Sequence, residues 1–278
     1  MRRSQSVGGS LAAELSGEPQ NMVLTVRAGR SETQGKREYM EDRTTLIENL
    51  LEGQEGEDLA VSYFAVFDGH AGRRAADICS SNIHQMVCEH SDFPEGDMAI
   101  ILRETISAQD ELIITQSIAE NWKDGSCASV LVIRGNKLTA ANLGDSHMIL
   151  AQTVSGLTQP IRISETHKAS EDTEKKRIIA AGGMVVRNRV FGDLSISRAL
   201  GDRDYKHPAQ ETDFVSSIAY TKSVTLNVDH PFAIISSDGL WDKLTFQEAV
   251  DHIIELKKDP SITPEQASAS LIDTATTR

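Results

Sequence analysis

An apolar run that stops abruptly at Asp-Gly occurs twice in this chain, and no other feature constrains the fold as much. Tyr63-Phe-Ala-Val-Phe67 runs into Asp68-Gly69-His70, and Pro231-Phe-Ala-Ile-Ile-Ser-Ser237 runs into Asp238-Gly239. Each run is short, apolar throughout or nearly so, and closed by a turn signal, the pattern of a strand buried on both faces. Such a strand delivers its terminal carboxylate to a sheet edge. There a carboxylate can ligate a hard cation, the following glycine lets a backbone carbonyl turn toward the same ion, and a neighbouring imidazole can move a proton. One Asp-Gly after a strand marks only a turn; the second occurrence gives the pair its interest.

The rest of the chain supplies layers around these two strands. Residues 1–20 are rich in Ser, Gly and polar side chains and are expected to form a mobile tail, leaving 21–278 as one domain. Met22 to Arg27 alternates apolar and polar like a half-buried strand, Thr44 to Leu50 reads as another, and residues 52–58 as a polar hairpin connection. Apolar positions at helical spacing predict an amphipathic helix over 72–90 and a second from Asp97 to Ser117. Ala128 to Ile133, Leu138 to Leu143 and Met148 to Ala151 read as an antiparallel meander. A short helix should start near Ser170 and stop at Gly182-Gly183, and the irregular stretch 184–230 has the look of a lid or binding loop. Thr245 and Glu248 form a capping box for a helix, and Thr263-Pro264-Glu265-Gln266 opens the last one. Many short strands with helices in pairs between them predict an α+β class.

The net charge of −13 argues against nucleic acid or an anionic membrane surface as partners. Cys79, Cys88 and Cys127 are too few and too scattered for a disulfide framework or a zinc site, and no apolar run reaches the length of a membrane span. These features lead us to expect a cytoplasmic or nuclear monomer. Glu41, Asp42, Asp68, Asp145, Asp238 and Asp242 all sit where strands end or turns begin. Carboxylate and carbonyl oxygens in that number suit Mg²⁺ or Mn²⁺, and a pair of such ions can activate water for in-line attack on phosphorus.

The set resembles the protein phosphatase 2C (PP2C, or PPM) family of metal-dependent protein serine/threonine phosphatases. Arg37-Glu-Tyr-Met-Glu41-Asp42 is similar to its R-x-x-M-E-D segment, Asp68-Gly-His-Ala-Gly72 to D-G-H-A-G, Gly125-Ser-Cys-Ala128 to G-S-T-A, and Asn142-Leu-Gly-Asp-Ser146 to N-x-G-D-S. His167-Lys168, Ala181-Gly-Gly183, Arg189-Val-Phe-Gly192, Ser197-Arg-Ala-Leu-Gly-Asp202 and Ser237-Asp-Gly-Leu-Trp-Asp242 follow in family order. The resemblance implies an α-β-β-α sandwich of two antiparallel sheets flanked by helix pairs. It also implies hydrolysis of phosphoserine or phosphothreonine in phosphoprotein substrates by a water or hydroxide bridging two Mn²⁺ or Mg²⁺ ions. Asp68 would bridge the ions, Glu41 and the Gly69 carbonyl would serve one, and Asp238 the other. Arg37 would grip the phosphate, His70 would protonate the leaving oxygen, and Asp42 would orient water; Asp145 and Asp242, with Asp238, match a third, weaker metal site. The stretch around 184–200 corresponds to a flap beside the active site.

The family pattern continues into a D-N-[IM]-T strand whose Asp completes the metal site, and this sequence stops at Ala275-Thr-Thr-Arg278. The domain is therefore expected to be C-terminally incomplete, with a backbone edge left unpaired. Two readings remain open: an active phosphatase, or a pseudophosphatase that binds partners on the same fold.

Overall fold

The computed structural model describes residues 10–16, of which the backbone alone, together with 25–51 and 60–278. In chain order its strands are β1 (Ser10–Ser16), β2 (Thr25–Ser31), β3 (Arg43–Ile47), β4 (Val61–Phe67) and β5 (Gly69–His70). Helices α1 (Arg74–Glu89) and α2 (Met98–Ala119) follow, then β6 (Gly125–Ser126), β7 (Ala128–Arg134), β8 (Lys137–Leu143), β9 (His147–Val154) and β10 (Leu157–Arg162). After α3 (Asp172–Ala180) come the short strands β11 (Val185–Val186), β12 (Arg189–Val190) and β13 (Leu200–Gly201), then β14 (Tyr220–Thr225) and β15 (Phe232–Ser236). The chain closes with α4 (Asp238–Trp241), α5 (Phe246–Leu256) and α6 (Pro264–Thr276).

Two five-stranded sheets, both antiparallel throughout, form the centre: β10-β9-β15-β1-β2 and β14-β8-β7-β4-β3. Period-two alternation explains why β4 is apolar on every residue but one. Val61, Tyr63, Ala65 and Phe67 face the core under α1 and α2, while Phe64 and Val66 face the core between the sheets. The same logic governs β15, where Phe232 and Ile234 pack beneath α5 and α6 and Ala233 and Ile235 point into the intersheet core. The result is the expected α-β-β-α sandwich, with both Asp-Gly strands inside it.

Several expectations change. Ser10–Ser16, assigned to the tail, pairs as β1 between β15 and β2; the remainder of 1–20 and the hairpin at 52–58 lie outside the described residues. Because β15 is flanked by β9 and β1, the expected unpaired edge is not found there. The anticipated meander is also broken. β7 and β8 pair as a hairpin, but Gly144, at φ +93°, turns the chain so that β9 joins the opposite sheet beside β15. The stretch 184–230 holds four strands, three of them two-residue pairings, and β14, which lies at a sheet edge.

Helix ends follow local chemistry. Thr245 and Glu248 cap α5 reciprocally, and Thr263 with Gln266 does the same for α6, which has Pro264 in its first turn. The N-terminus of α6 lies against Gly29 of β2, where a Cβ would fall 2.1 Å from the Glu265 amide nitrogen, so only glycine permits this approach. Among the described residues no helix is long and apolar enough to cross a membrane.

Candidate functional site

The ends of β4 and β15 meet, bringing together carboxylates 170 residues apart in sequence, Asp68 and Asp238. Burial raises the Asp68 carboxyl well above its usual range, and the charges of Asp42, Asp238 and Asp145 raise it further. Asp238 is pushed to about 7, first by burial and then by Asp145, Asp242 and Asp42. Asp42, 2 % exposed, is raised to about 6 by burial, against the pull of hydrogen bonds from Ser237 and Asp68. Ser237 Oγ donates to Asp42 Oδ2 at 2.9 Å. Asp42 and Asp68 also share a side-chain hydrogen bond.

Close backbone packing fixes the neighbours of this pair. A Cβ on Gly69 would lie 2.5 Å from the Glu41 carbonyl oxygen, so the glycine lets the Glu41 segment lie directly on β5. Asp145 occupies the turn that carries the chain between sheets. Cys127 Sγ donates to its Oδ1 at 3.5 Å and packs against Gly144, where a Cβ would sit 2.2 Å from the sulfur. One donor atom from each of Asp68, Cys127 and Asp145 lies within 4.8 Å of the others. Lys168 Nζ stands 3.2 Å from Asp145 Oδ2. A cavity of about 300 Å³ is lined by Asp145, Asp238 and Asp242 together with Lys168, Arg187 and Arg189.

Carboxylates buried this close destabilise one another's charged forms, and a divalent cation among them replaces that repulsion with attraction. The donor set, hard oxygens with one thiol at its margin, fits Mg²⁺ or Mn²⁺ better than a closed zinc site. Asp68, Asp238 and the Glu41–Gly69 segment could hold such ions, as could Asp145 and Asp242 on the cavity side.

His70 and Arg37 flank the acids. His70 Nε2 is 2.9 Å from both oxygens of Asp202. Burial disfavours the imidazolium, but the charge and hydrogen bond of Asp202, with the charges of Asp145 and Glu41, outweigh it and raise the His70 pKa. His70 lies in β5, and Asp202 directly follows β13 of the three-stranded sheet β13-β6-β5, in which Gly125 pairs with both His70 and Gly201. A Cβ at Gly125 would fall 2.3 Å from His70 Nε2 and 2.5 Å from Asp202 Oδ2, so the pair closes over a bare glycine. The Arg37 carbonyl accepts from the Gln34 side-chain Nε2 at 2.8 Å, and the Arg37 Nε is buried with no hydrogen-bond partner among the described residues. Its charge reaches Asp42.

All the residues singled out in the sequence thus gather at one end of the sandwich. Asp202, Ser237, Lys168 and Cys127 join them. Each lies inside a quoted motif, but nothing in the spacing gave it a contact at the site. Beside the centre, the β11–β12 hairpin and α3 form a separate small core with Phe214. Arg177 and Arg198 both bond to Glu174, which burial alone would raise but which these partners bring down to about 2.

Residues 26–278 match the family model described as Protein phosphatase 2C. Protein spalten of Dictyostelium discoideum is 33% identical over 83% of this chain and 24% of its own length. A probable protein phosphatase 2C of Caenorhabditis elegans is 35% identical over 84% of this chain and 64% of its own. The chain therefore spans less than two thirds of either relative. The crystal structure of a serine-threonine phosphatase 2C from Toxoplasma gondii superposes with a TM-score of 0.76 at 20% identity, covering 87% of this chain and 86% of the other, a likeness of fold. With a family model covering its described sandwich and the acids at the ends of β4 and β15, this chain belongs to the protein phosphatase 2C family.

Proposed function

We propose that this chain is an active, Mn²⁺- or Mg²⁺-dependent phosphatase acting on phosphoserine and phosphothreonine in proteins. The observation that carries the reading is the crowding of Asp42, Asp68 and Asp238: burial raises all three carboxyls, and the charges of neighbouring carboxylates raise Asp68 and Asp238 further. A packing role alone gives no reason to maintain such repulsion, whereas bound cations relieve it. When present, the metal supplies water acidified toward neutral pH and positive charge opposite the phosphoryl oxygens.

The chain's own residues would do the rest. Asp68 and Asp238, with the Glu41–Gly69 segment, hold the ions. Arg37, whose Nε lacks a partner, grips the substrate phosphate with its planar fork, a task suited to arginine rather than lysine. Asp42, held by Ser237, accepts a hydrogen bond from the attacking water and so orients it. His70, whose pKa Asp202 raises against burial, gives its proton to the departing serine or threonine oxygen. Lys168 lies over Asp145 and would be displaced when a further ion occupies Asp145, Asp238 and Asp242.

A second reading is a fold that binds phosphoproteins with little turnover. It is favoured by the strand beside β15, in which Ser10 stands opposite Ser236 and Glu14 opposite Phe232 at the far end, so β1 brings no carboxylate next to Asp238. Leaving-group dependence separates the two. His70→Ala should slow a phosphothreonine peptide by about 100-fold or more yet change p-nitrophenyl phosphate hydrolysis little, because nitrophenolate needs no proton to leave. Asp68→Asn should abolish metal-stimulated turnover of both. Equal losses on both substrates in His70→Ala would remove the general-acid role, and absence of turnover in the wild type would favour the binding reading.

A further inference from the structure

Behind the His70–Asp202 pair lies a second ion pair to which the reaction assigns no part. Lys206 is 1 % exposed, and its Nζ lies 2.8 and 2.7 Å from the two oxygens of Asp110 on α2, and 2.7 Å from the Ala199 carbonyl. Asp110, 4 % exposed, also accepts from the Gly201 amide at 2.8 Å. A buried ion pair is costly to desolvate and is weak evidence for stability, so its contacts deserve a different explanation.

Those contacts bracket Asp202 on both sides. Ala199 and Gly201 precede it, Lys206 follows, and Asp202 itself has left-handed backbone at φ +55°, a conformation an aspartate adopts at a cost unless its surroundings enforce it. Its amide donates to the Asp124 carbonyl at 3.2 Å, which ties the turn to the strand side. On the helix side the tie is Asp110 with Lys206. Helix α2 thus grips the turn just where its carboxylate meets the imidazole across Gly125.

We infer that Asp110 and Lys206 are positioning residues that hold the left-handed turn presenting Asp202 to His70, and so set the geometry of the proton donor from the far side of β13. The inference rests on the phosphatase reading for its kinetic consequence and on geometry alone for its structural one. It is tested in the full chain with the double variant Asp110→Leu/Lys206→Met. Removing both charges leaves no unpaired buried charge but costs the Gly201 amide its acceptor and the Ala199 carbonyl its donor, so the melting temperature should fall moderately, and by less than with either single substitution.

Two readouts then follow. Hydrogen exchange of the Asp202 amide, whose acceptor Asp124 is untouched by the substitutions, should quicken about tenfold in the metal-free protein. With Mn²⁺, kcat on a phosphothreonine peptide should fall by about tenfold, part of what a general acid supplies, while p-nitrophenyl phosphate changes less than about twofold. If the double variant does not fold, Asp110→Asn/Lys206→Met retains an acceptor for the Gly201 amide and is expected to move both readouts the same way. Unchanged Asp202 exchange in a folded variant, or equal losses on the two substrates, overturns the inference. If the wild type hydrolyses neither substrate, the phosphatase reading fails, and the exchange measurement still decides whether the pair holds the turn.

Discussion

The buried carboxylates predict that the metal-free protein loses stability as pH rises through the range where most proteins gain it. Asp42 illustrates the size. Its carboxyl titrates near 3.8 when unfolded and near 6 when folded, so between those values the folded state holds a proton that the unfolded state has released. Stability then falls with pH, because its slope follows the excess of protons bound by the unfolded chain, here negative. A difference of about two units at ~1.4 kcal/mol each gives roughly 3 kcal/mol from this group, fully lost above pH 6. Asp238, folded near 7, acts in the same sense over a window reaching about one unit higher. Asp42→Asn removes the titration with nearly the same shape. Urea denaturation in EDTA at pH 4.5 and pH 8 should therefore show the variant gaining about 2 kcal/mol on the wild type between the two, since pH 4.5 already lies above the unfolded value. Saturating Mn²⁺ should flatten the wild-type dependence by favouring the ionised carboxylates. If the two chains keep a constant stability difference across this range, or the wild type gains on the variant as pH rises, the account of the acid cluster is wrong.

Gly125→Ala should separate His70 from Asp202, since its methyl would fall within 2.5 Å of both; turnover of a phosphothreonine peptide is expected to drop by about tenfold or more with p-nitrophenyl phosphate largely spared, as in His70→Ala. Gly29→Ala should push α6 off β2 and cost about 1–3 kcal/mol or more in urea unfolding without changing Mn²⁺ affinity, because the clash at Glu265 is with backbone that cannot swing aside. Phe64→Ala, which empties a fully buried position between the sheets, should lower stability by about 3–5 kcal/mol in the same assay.

What could be read from the chain, and what could not, follows from where each signal originates. β4, β15, α1 and the capped α5 announce themselves because burial on two faces, amphipathic period and capping boxes are local properties. β10 and β14 do not. Both lie at sheet edges, with half-exposed side chains, and β10 even contains Pro160, which an edge strand tolerates. The transfer of β9 to the opposite sheet rests on a backbone angle at Gly144 and on pairing with β15, more than 80 residues later. The β11–β12 turn uses Arg187 and Asn188 at positive φ, so no glycine marks it. At the site, the acids were legible as a set once two strands ended in Asp-Gly. The partnership of His70 with Asp202 was not, because it depends on a three-stranded sheet closing over Gly125 between residues 132 apart. β1 was missed because Ser-Leu-Ala-Ala-Glu-Leu-Ser carries no strand pattern of its own, and its place is set by the pairing offered by β15 and β2.

The central claim is that the acids at the ends of β4 and β15 bind divalent metal in order to hydrolyse phosphoprotein. Mn²⁺ titration of this chain, followed in parallel by calorimetry and by phosphate release from a phosphothreonine peptide, tests it most directly. The account predicts that heat and turnover saturate over the same metal range and that Asp68→Asn abolishes both. Turnover that is independent of Mn²⁺ and Mg²⁺, or metal binding that leaves the peptide intact, would contradict it.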